Sequence, residues 1–70
     1  MELFYVNNVS TQYTGWHHEV HTSDHAAELK ISNKTRLGYY DNEVRAVQAA
    51  KSIYQDADGC AVCCPRAHRG

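Results

Sequence analysis

The cysteines place the strongest constraint on this chain, because all three lie together in the segment Cys60-Ala-Val-Cys63-Cys64. An odd number of crowded thiols does not fit a disulfide framework. Two cysteines separated by two residues are instead typical of a knuckle in which both sulfurs face one metal ion. One such pair supplies half of a four-ligand site. We call residues 60–64 the cysteine knuckle.

The histidines predict where the other half of the site lies. Four of the five histidines fall between positions 17 and 25, and His21 and His25 are separated by three residues. This spacing lies within the range of the histidine half of structural zinc sites. Two thiolates and two neutral imidazoles balance the charge of a zinc ion, so such a site can be buried. The predicted ligands are therefore His21, His25, Cys60 and Cys63, and the predicted cofactor is zinc.

Zinc would also supply stability that a chain of this length lacks. With 70 residues there is room for one domain, and a core of that size contributes a net stability of only roughly 3–5 kcal/mol. Apparent binding free energies of structural zinc are on the order of 10–16 kcal/mol. A bound ion would therefore dominate the stability of the fold.

Other ligands for the same ion remain open. Cys64 and His68 are competing ligands, since both lie close in sequence to the Cys-x2-Cys pair. His17 and His18 lie next to the predicted histidine ligands, but they are expected on the surface of a strand.

Two other roles for the cysteines are alternatives. Cys60, Cys63 and Cys64 can form a thiol-based redox sensor or enzyme. That chemistry usually places Cys-x-x-Cys ahead of a helix, whereas here the motif follows the predicted main helix, so the redox role is the second choice. The cysteines can also be small buried hydrophobic side chains in a metal-free interaction protein.

The hydrophobic pattern predicts an α+β domain with a small two- or three-stranded antiparallel sheet. Gly38 marks a bulge or a close backbone approach in one strand. In another strand, Glu19 and His21 share a face because side chains alternate. The candidate strands, rich in aromatic and β-branched residues or alternating in polarity, are residues 3–9, 16–21 and 35–40.

One principal helix is predicted over about residues 42–54, with Asp41 as its N-cap. A shorter helical segment is predicted within residues 22–30, with Ser23 as its N-cap. Residues 1–70 are expected to form a single domain that ends in a frayed tail over residues 66–70. The apolar face of the principal helix is predicted to consist of Val44, Val47, Ala50, Ile53 and Tyr54.

The composition restricts the function. The chain has 7 Lys and Arg against 8 Asp and Glu, a net charge of −1, whereas binding nucleic acid by charge needs a basic surface. A stacking platform for single-stranded nucleic acid, made of Tyr13, Trp16, Tyr39 and Tyr40, is a less favoured route to such binding. No phosphate-binding loop, dinucleotide fingerprint, nucleophile elbow or His-Glu-x-x-His motif occurs, so a non-enzymatic role is favoured.

The sequence predicts a cytoplasmic protein without a membrane partner. An acidic residue follows Met1 and the first apolar run is short, unlike a secretory signal. No run approaches the roughly 20 apolar residues of a membrane span. A reducing compartment would keep the thiols free to bind a metal.

The order of these motifs resembles that of a group of short, uncharacterised bacterial proteins. The likeness covers roughly residues 4–68. It is carried by Glu19-Val-His21, Leu37-Gly-Tyr-Tyr-Asp41, an alanine-rich helix and Asp58-Gly-Cys60-Ala-Val-Cys63. More remotely, the pattern is similar to the zinc domain that begins the Ada methyl-phosphotriester repair proteins and to zinc modules appended to bacterial nucleases.

This resemblance implies a zinc domain in which His21 and His25 take the place of the first ligand pair, and Cys60 and Cys63 the place of the second. His25 stands where the bacterial proteins carry a cysteine. Replacing two thiolates of an Ada-like site by imidazoles reduces the nucleophilicity of the remaining sulfurs. The resemblance therefore implies the fold and the metal site without methyl transfer: a structural zinc module acting on an unidentified protein or nucleic-acid partner.

Overall fold

The computed structural model of this protein describes residues 1–10 and 15–68. A turn of 3-10 helix at Pro65–Ala67 lies near the end of the described residues. The α+β class predicted from the sequence is confirmed. In chain order the elements are β1 (Glu2–Asn7), β2 (His18–Thr22), α1 (Ser23–Glu28), β3 (Lys34–Tyr40), α2 (Glu43–Ala50) and β4 (Ala57–Gly59).

The sheet has one strand more than predicted, in the order β3-β1-β2-β4. β1 pairs antiparallel with both β2 and β3, which correspond to the three predicted strands. β4 pairs parallel with β2, so the sheet is mixed and not purely antiparallel. Its three residues are Ala-Asp-Gly. Because Asp and Gly have low strand propensity, the sequence pattern does not predict this strand.

The bulge predicted at Gly38 is present in the pairing of β1 with β3. Phe4 lies opposite Gly38 whereas Tyr5 lies opposite Arg36, so the register shifts by one residue. Gly38 has a φ of 116°, in the region that residues with a Cβ rarely adopt. The glycine therefore permits the backbone conformation that this irregularity requires.

Both helices are capped one residue away from the predicted position. The Thr22 hydroxyl accepts a hydrogen bond of 3.2 Å from a backbone N–H in the first turn of α1, so Thr22 and not Ser23 is the N-cap. The Asn42 side chain accepts one of 3.0 Å at the start of α2, so Asn42 and not Asp41 is the N-cap. In both cases two residues with capping side chains are adjacent, and the observed cap has extended backbone angles, as an N-cap usually does.

α2 is shorter than the predicted helix, because it ends at Ala50 and the chain continues in turns. Its buried residues are Ala46, Val47 and Ala50. Val44 and Ile53, which were assigned to the apolar face, are 42% and 50% exposed. Two of the three buried residues of this helix are therefore alanines, and all three belong to the hydrophobic core.

The hydrophobic core lies between α2 and the sheet, and it includes residues from the segment that follows β4. Within the tail predicted over residues 66–70, Ala67 is buried and His68 Nδ1 lies 2.9 Å from the carbonyl oxygen of Gly59, while the fraying itself stays a prediction. Residues 69 and 70 lie outside the described residues. The buried core consists of Phe4, Val6, Val20, Ala46, Val47, Ala50, Ala57, Cys64 and Ala67.

No helix in the described part of the chain has the length and apolar character that crossing a membrane requires.

Candidate metal centre

The parallel pairing of β2 with β4 brings the two halves of the predicted site together. Parallel strands have their carboxyl ends at the same edge of a sheet. β2 contains His21 and runs directly into α1, which carries His25, while β4 runs directly into Cys60. Residues separated by 35 and 42 positions in the sequence are therefore neighbours at this edge.

The four predicted ligands form one cluster, which we call the His2Cys2 cluster: His21, His25, Cys60 and Cys63 each offer one ligand atom, and these atoms all lie within 4.8 Å of one another. Cys60 Sγ is 3.7 Å from His25 Nδ1, and Cys63 Sγ is 3.7 Å from His21 Nδ1. In a tetrahedral zinc site, the usual bond lengths of about 2.3 Å to sulfur and 2.0–2.1 Å to nitrogen place these atoms about 3.6 Å apart. These two sulfur–nitrogen distances match that value, and the four side chains are close enough together that they could hold a metal ion.

The histidine half is held by the junction of β2 with α1. His21 is the next-to-last residue of β2, and Thr22 both ends the strand and caps the helix. The cap accepts the backbone N–H of His25, which fixes the first helical turn relative to the strand. The two imidazole rings consequently lie 5.5 Å apart between centroids.

The cysteine half is held by backbone contacts of the knuckle. The N–H of Cys60 donates to the carbonyl of Val20 at 3.0 Å and extends the pairing with β2, while the N–H of Cys64 donates to the carbonyl of Cys60 at 2.8 Å. Gly59 lies directly beneath the returning chain, since a Cβ at this position would lie 2.7 Å from the Cys64 carbonyl oxygen. The glycine therefore permits the close approach that forms the knuckle.

Burial shifts the pKa values of two members of the cluster, His21 and Cys63. It lowers the pKa of His21 to about 4, with a smaller contribution from His25. It also raises the pKa of the Cys63 thiol. His21 is therefore neutral at neutral pH and can donate a lone pair, whereas the Cys63 thiol needs a bound cation to ionise.

Glu19 is a neighbour of the cluster that the sequence analysis did not assign to the site. Its Oε1 lies 3.8 Å from His21 Nε2, and its side chain is only 19% exposed. Burial raises the pKa of this carboxyl. The two-residue spacing in β2 places Glu19 on the same face as His21, and this spacing was the available signal.

Neither of the competing ligands is part of the cluster. Cys64 is fully buried in the hydrophobic core, although its Sγ lies 3.8 Å from that of Cys63. Burial raises its pKa well above the ordinary thiol value. His68 Nδ1 faces Asp58 Oδ2 at 3.5 Å and the carbonyl oxygen of Gly59.

The other two histidines face Asp56, just before β4. His18 Nδ1 lies 2.7 Å from Asp56 Oδ1, and the ring is stacked on Tyr54 with centroids 3.8 Å apart. His17 Nδ1 lies 3.3 Å from the Asp56 carbonyl oxygen. His18 therefore joins the start of β2 to the segment before β4, a role that its position in the sequence did not reveal.

The four aromatic residues proposed as a stacking platform have different surroundings. Trp16 and Tyr39 are 65% and 57% exposed. Tyr40 packs against the core and lies 6.5 Å from the ring of Phe4. Tyr13 lies outside the described residues. Nucleic-acid binding by these residues stays a prediction.

A cavity of about 430 Å³ adjoins the cluster at Cys63. Its charged lining residues are Glu2, Asp41, Glu43 and Arg66. Cys63 is therefore the thiol of the cluster that lines an open space, whereas Cys60 is buried.

Comparisons with protein-family models, with curated proteins and with solved structures find no match to this chain. The resemblance to zinc domains noted from the sequence stays a prediction.

Proposed function

We propose that this protein is a structural zinc-binding module without enzymatic activity. The observation that supports this function is the His2Cys2 cluster, whose ligand atoms from two distant segments lie within 4.8 Å of one another. The ligands would be His21, His25, Cys60 and Cys63, and the ion would join the β2–α1 junction to the cysteine knuckle.

The donor set favours zinc among common metal ions. Two thiolates and two imidazoles form one of the usual ligand sets of tetrahedral structural zinc, and hard cations such as calcium and magnesium prefer oxygen ligands. All three cysteines are free thiols, and a cytoplasmic location would keep them reduced.

The number of protein ligands favours a structural role over a catalytic one. Catalytic zinc usually has three protein ligands and one open position for water or substrate. Four protein ligands fill a tetrahedral shell and leave no such position. The proposed task is therefore to stabilise a surface that contacts a protein or nucleic-acid partner.

A thiol redox role is the second candidate, because the sulfur atoms of Cys63 and Cys64 lie 3.8 Å apart. Reactive cysteines have lowered pKa values, since the thiolate is the nucleophile. Here burial raises the pKa values of both thiols. Without a metal this environment opposes redox chemistry, so the structural zinc role is the better supported of the two.

Native mass spectrometry of protein purified under reducing conditions tests the proposal. We expect one zinc per chain, and we expect a chelator to remove it together with the circular dichroism of the folded protein. Cys60→Ala should lose the zinc, whereas the matched control Cys64→Ala should keep it. A folded wild-type protein that takes up no added zinc would overturn the proposal, and loss of zinc from Cys64→Ala would favour a three-thiol centre.

A further inference from the structure

We infer that Glu19 is a positioning residue of the metal centre, whose carboxylate holds the His21 imidazole so that Nδ1 is the nitrogen offered to the ion. The inference rests on the proposed zinc centre and concerns the orientation of one of its ligands. Glu19 is not itself a member of the His2Cys2 cluster.

The His21 ring lies between a thiol and a carboxylate. Nδ1 is 3.7 Å from Cys63 Sγ, and Nε2, the other ring nitrogen, is 3.8 Å from Glu19 Oε1. A neutral imidazole carries one proton, so a ring that gives its Nδ1 lone pair to a metal carries the proton on Nε2. The carboxylate of Glu19 is the acceptor that faces this proton.

Both side chains lie largely out of contact with water. The His21 side chain is 3% exposed and the Glu19 side chain 19% exposed. Water therefore competes little for the Nε2 proton, and a contact with a carboxylate is stronger in such surroundings than at an open surface. The present separation of 3.8 Å is longer than a hydrogen bond, so the inference requires it to shorten to about 2.7–3.2 Å when the ion binds.

The expected size of the effect follows from other metal sites. A carboxylate that accepts the free N–H of a metal-bound histidine fixes the tautomer and raises the basicity of the ligand. Its removal usually weakens metal binding by about 10–100-fold. Glu19→Ala should therefore lose zinc affinity within this range. Glu19→Gln keeps an acceptor oxygen without the charge, so its loss should be smaller.

The first measurement is zinc affinity by chelator competition for the wild type and both Glu19 variants. Glu28→Gln is the matched control, because it removes the same charge from an exposed position on α1. We expect wild type and Glu28→Gln to agree, and the two Glu19 variants to bind zinc more weakly. Wild-type affinity in Glu19→Ala would overturn the inference.

The second measurement separates positioning from general support of the fold. Long-range ¹H–¹⁵N correlation spectra of the zinc-loaded proteins report the tautomer and the ligating nitrogen of each histidine. We expect zinc on Nδ1 and the proton on Nε2 of His21, with the Nε2–H signal shifted in Glu19→Gln while the His25 signals stay unchanged. Zinc on His21 Nε2, or an unshifted Nε2–H signal in Glu19→Gln, would overturn the inference.

The two proposals fail in different ways. A wild-type protein that takes up no zinc overturns the zinc centre and this inference with it. Zinc bound by wild type and by the Glu19 variants with equal affinity overturns this inference alone.

Discussion

At the scale of single residues, the chemistry of the cluster follows from burial. His21 is 2% exposed, so its charged form would be poorly solvated. Burial holds His21 neutral by lowering its pKa to about 4, and it raises the pKa of Cys63. The proposed zinc ion would balance the charge of the two thiolates in this setting.

Zinc binding should consequently release protons from thiols and not from imidazoles. Free thiols are mostly protonated at about pH 7.5, and imidazoles are mostly neutral there, so we expect about two protons released per zinc. Apparent zinc affinity should then fall by about a hundredfold for each unit by which the pH is lowered near this value. Calorimetry in buffers of different ionisation enthalpy measures the number directly.

The proton count also identifies the ligands. A value near three would show that a third thiol, that of Cys64, joins the site. A value near zero would show that the cysteines are not ligands. Either result would contradict the His2Cys2 assignment.

The spacing of histidines and cysteines was sufficient to predict which four side chains would meet. The surroundings of the adjacent residues Cys64 and Glu19 could not be predicted from spacing. Cys63 and Cys64 are adjacent, yet Cys63 joins the cluster and Cys64 joins the core. That division depends on how the knuckle folds back over Gly59, which no local pattern records. Strand periodicity places Glu19 on the face of His21, but it does not predict that the carboxylate lies 3.8 Å from the ring nitrogen.

At the scale of elements, the missed strand is the one that assembles the site. The predicted strands and the main helix leave the order of the ligand segments undetermined. β4 determines this order by pairing parallel with β2. The segments that follow β2 and β4 therefore leave the sheet at the same edge. An antiparallel pairing would have placed the cysteine knuckle at the opposite end from His21. A three-residue strand of Ala-Asp-Gly carries no pattern from which this could be predicted.

The junction of β2 with α1 provides a test at this scale. Thr22 caps α1 through the backbone N–H of His25, so Thr22→Val removes the cap while nearly preserving the volume of a buried side chain. We expect a loss of about 1 kcal/mol in the free energy of unfolding of the zinc-loaded protein. Urea denaturation followed by circular dichroism measures it.

Ser23→Ala is the matched control, because Ser23 is an equally plausible cap in the sequence and is not the cap in the structure. Its free energy of unfolding should lie close to that of the wild type. A larger loss for Ser23→Ala than for Thr22→Val would show that the helix starts one residue later than described.

At the scale of the whole molecule, the hydrophobic core contains few large side chains. The largest fully buried side chains are Phe4, Val6, Val20 and Cys64, so few large apolar groups are removed from water. A small core of this kind usually needs a disulfide, a metal or a partner chain. The proposed zinc ion meets this need because it connects the two segments that leave β2 and β4. The short length of the chain predicts that it needs such a stabilising link. The parallel pairing of β2 with β4 brings together the segments that the ion would join.

Zinc K-edge X-ray absorption of the loaded protein tests whether His21, His25, Cys60 and Cys63 together hold one zinc ion. We expect the zinc ion to be coordinated by two sulfur atoms at about 2.3 Å and two nitrogen atoms at about 2.0 Å. A shell of three sulfur atoms would contradict it by adding Cys64 to the site. A shell of nitrogen and oxygen atoms alone would contradict it by removing the cysteine knuckle from the metal centre.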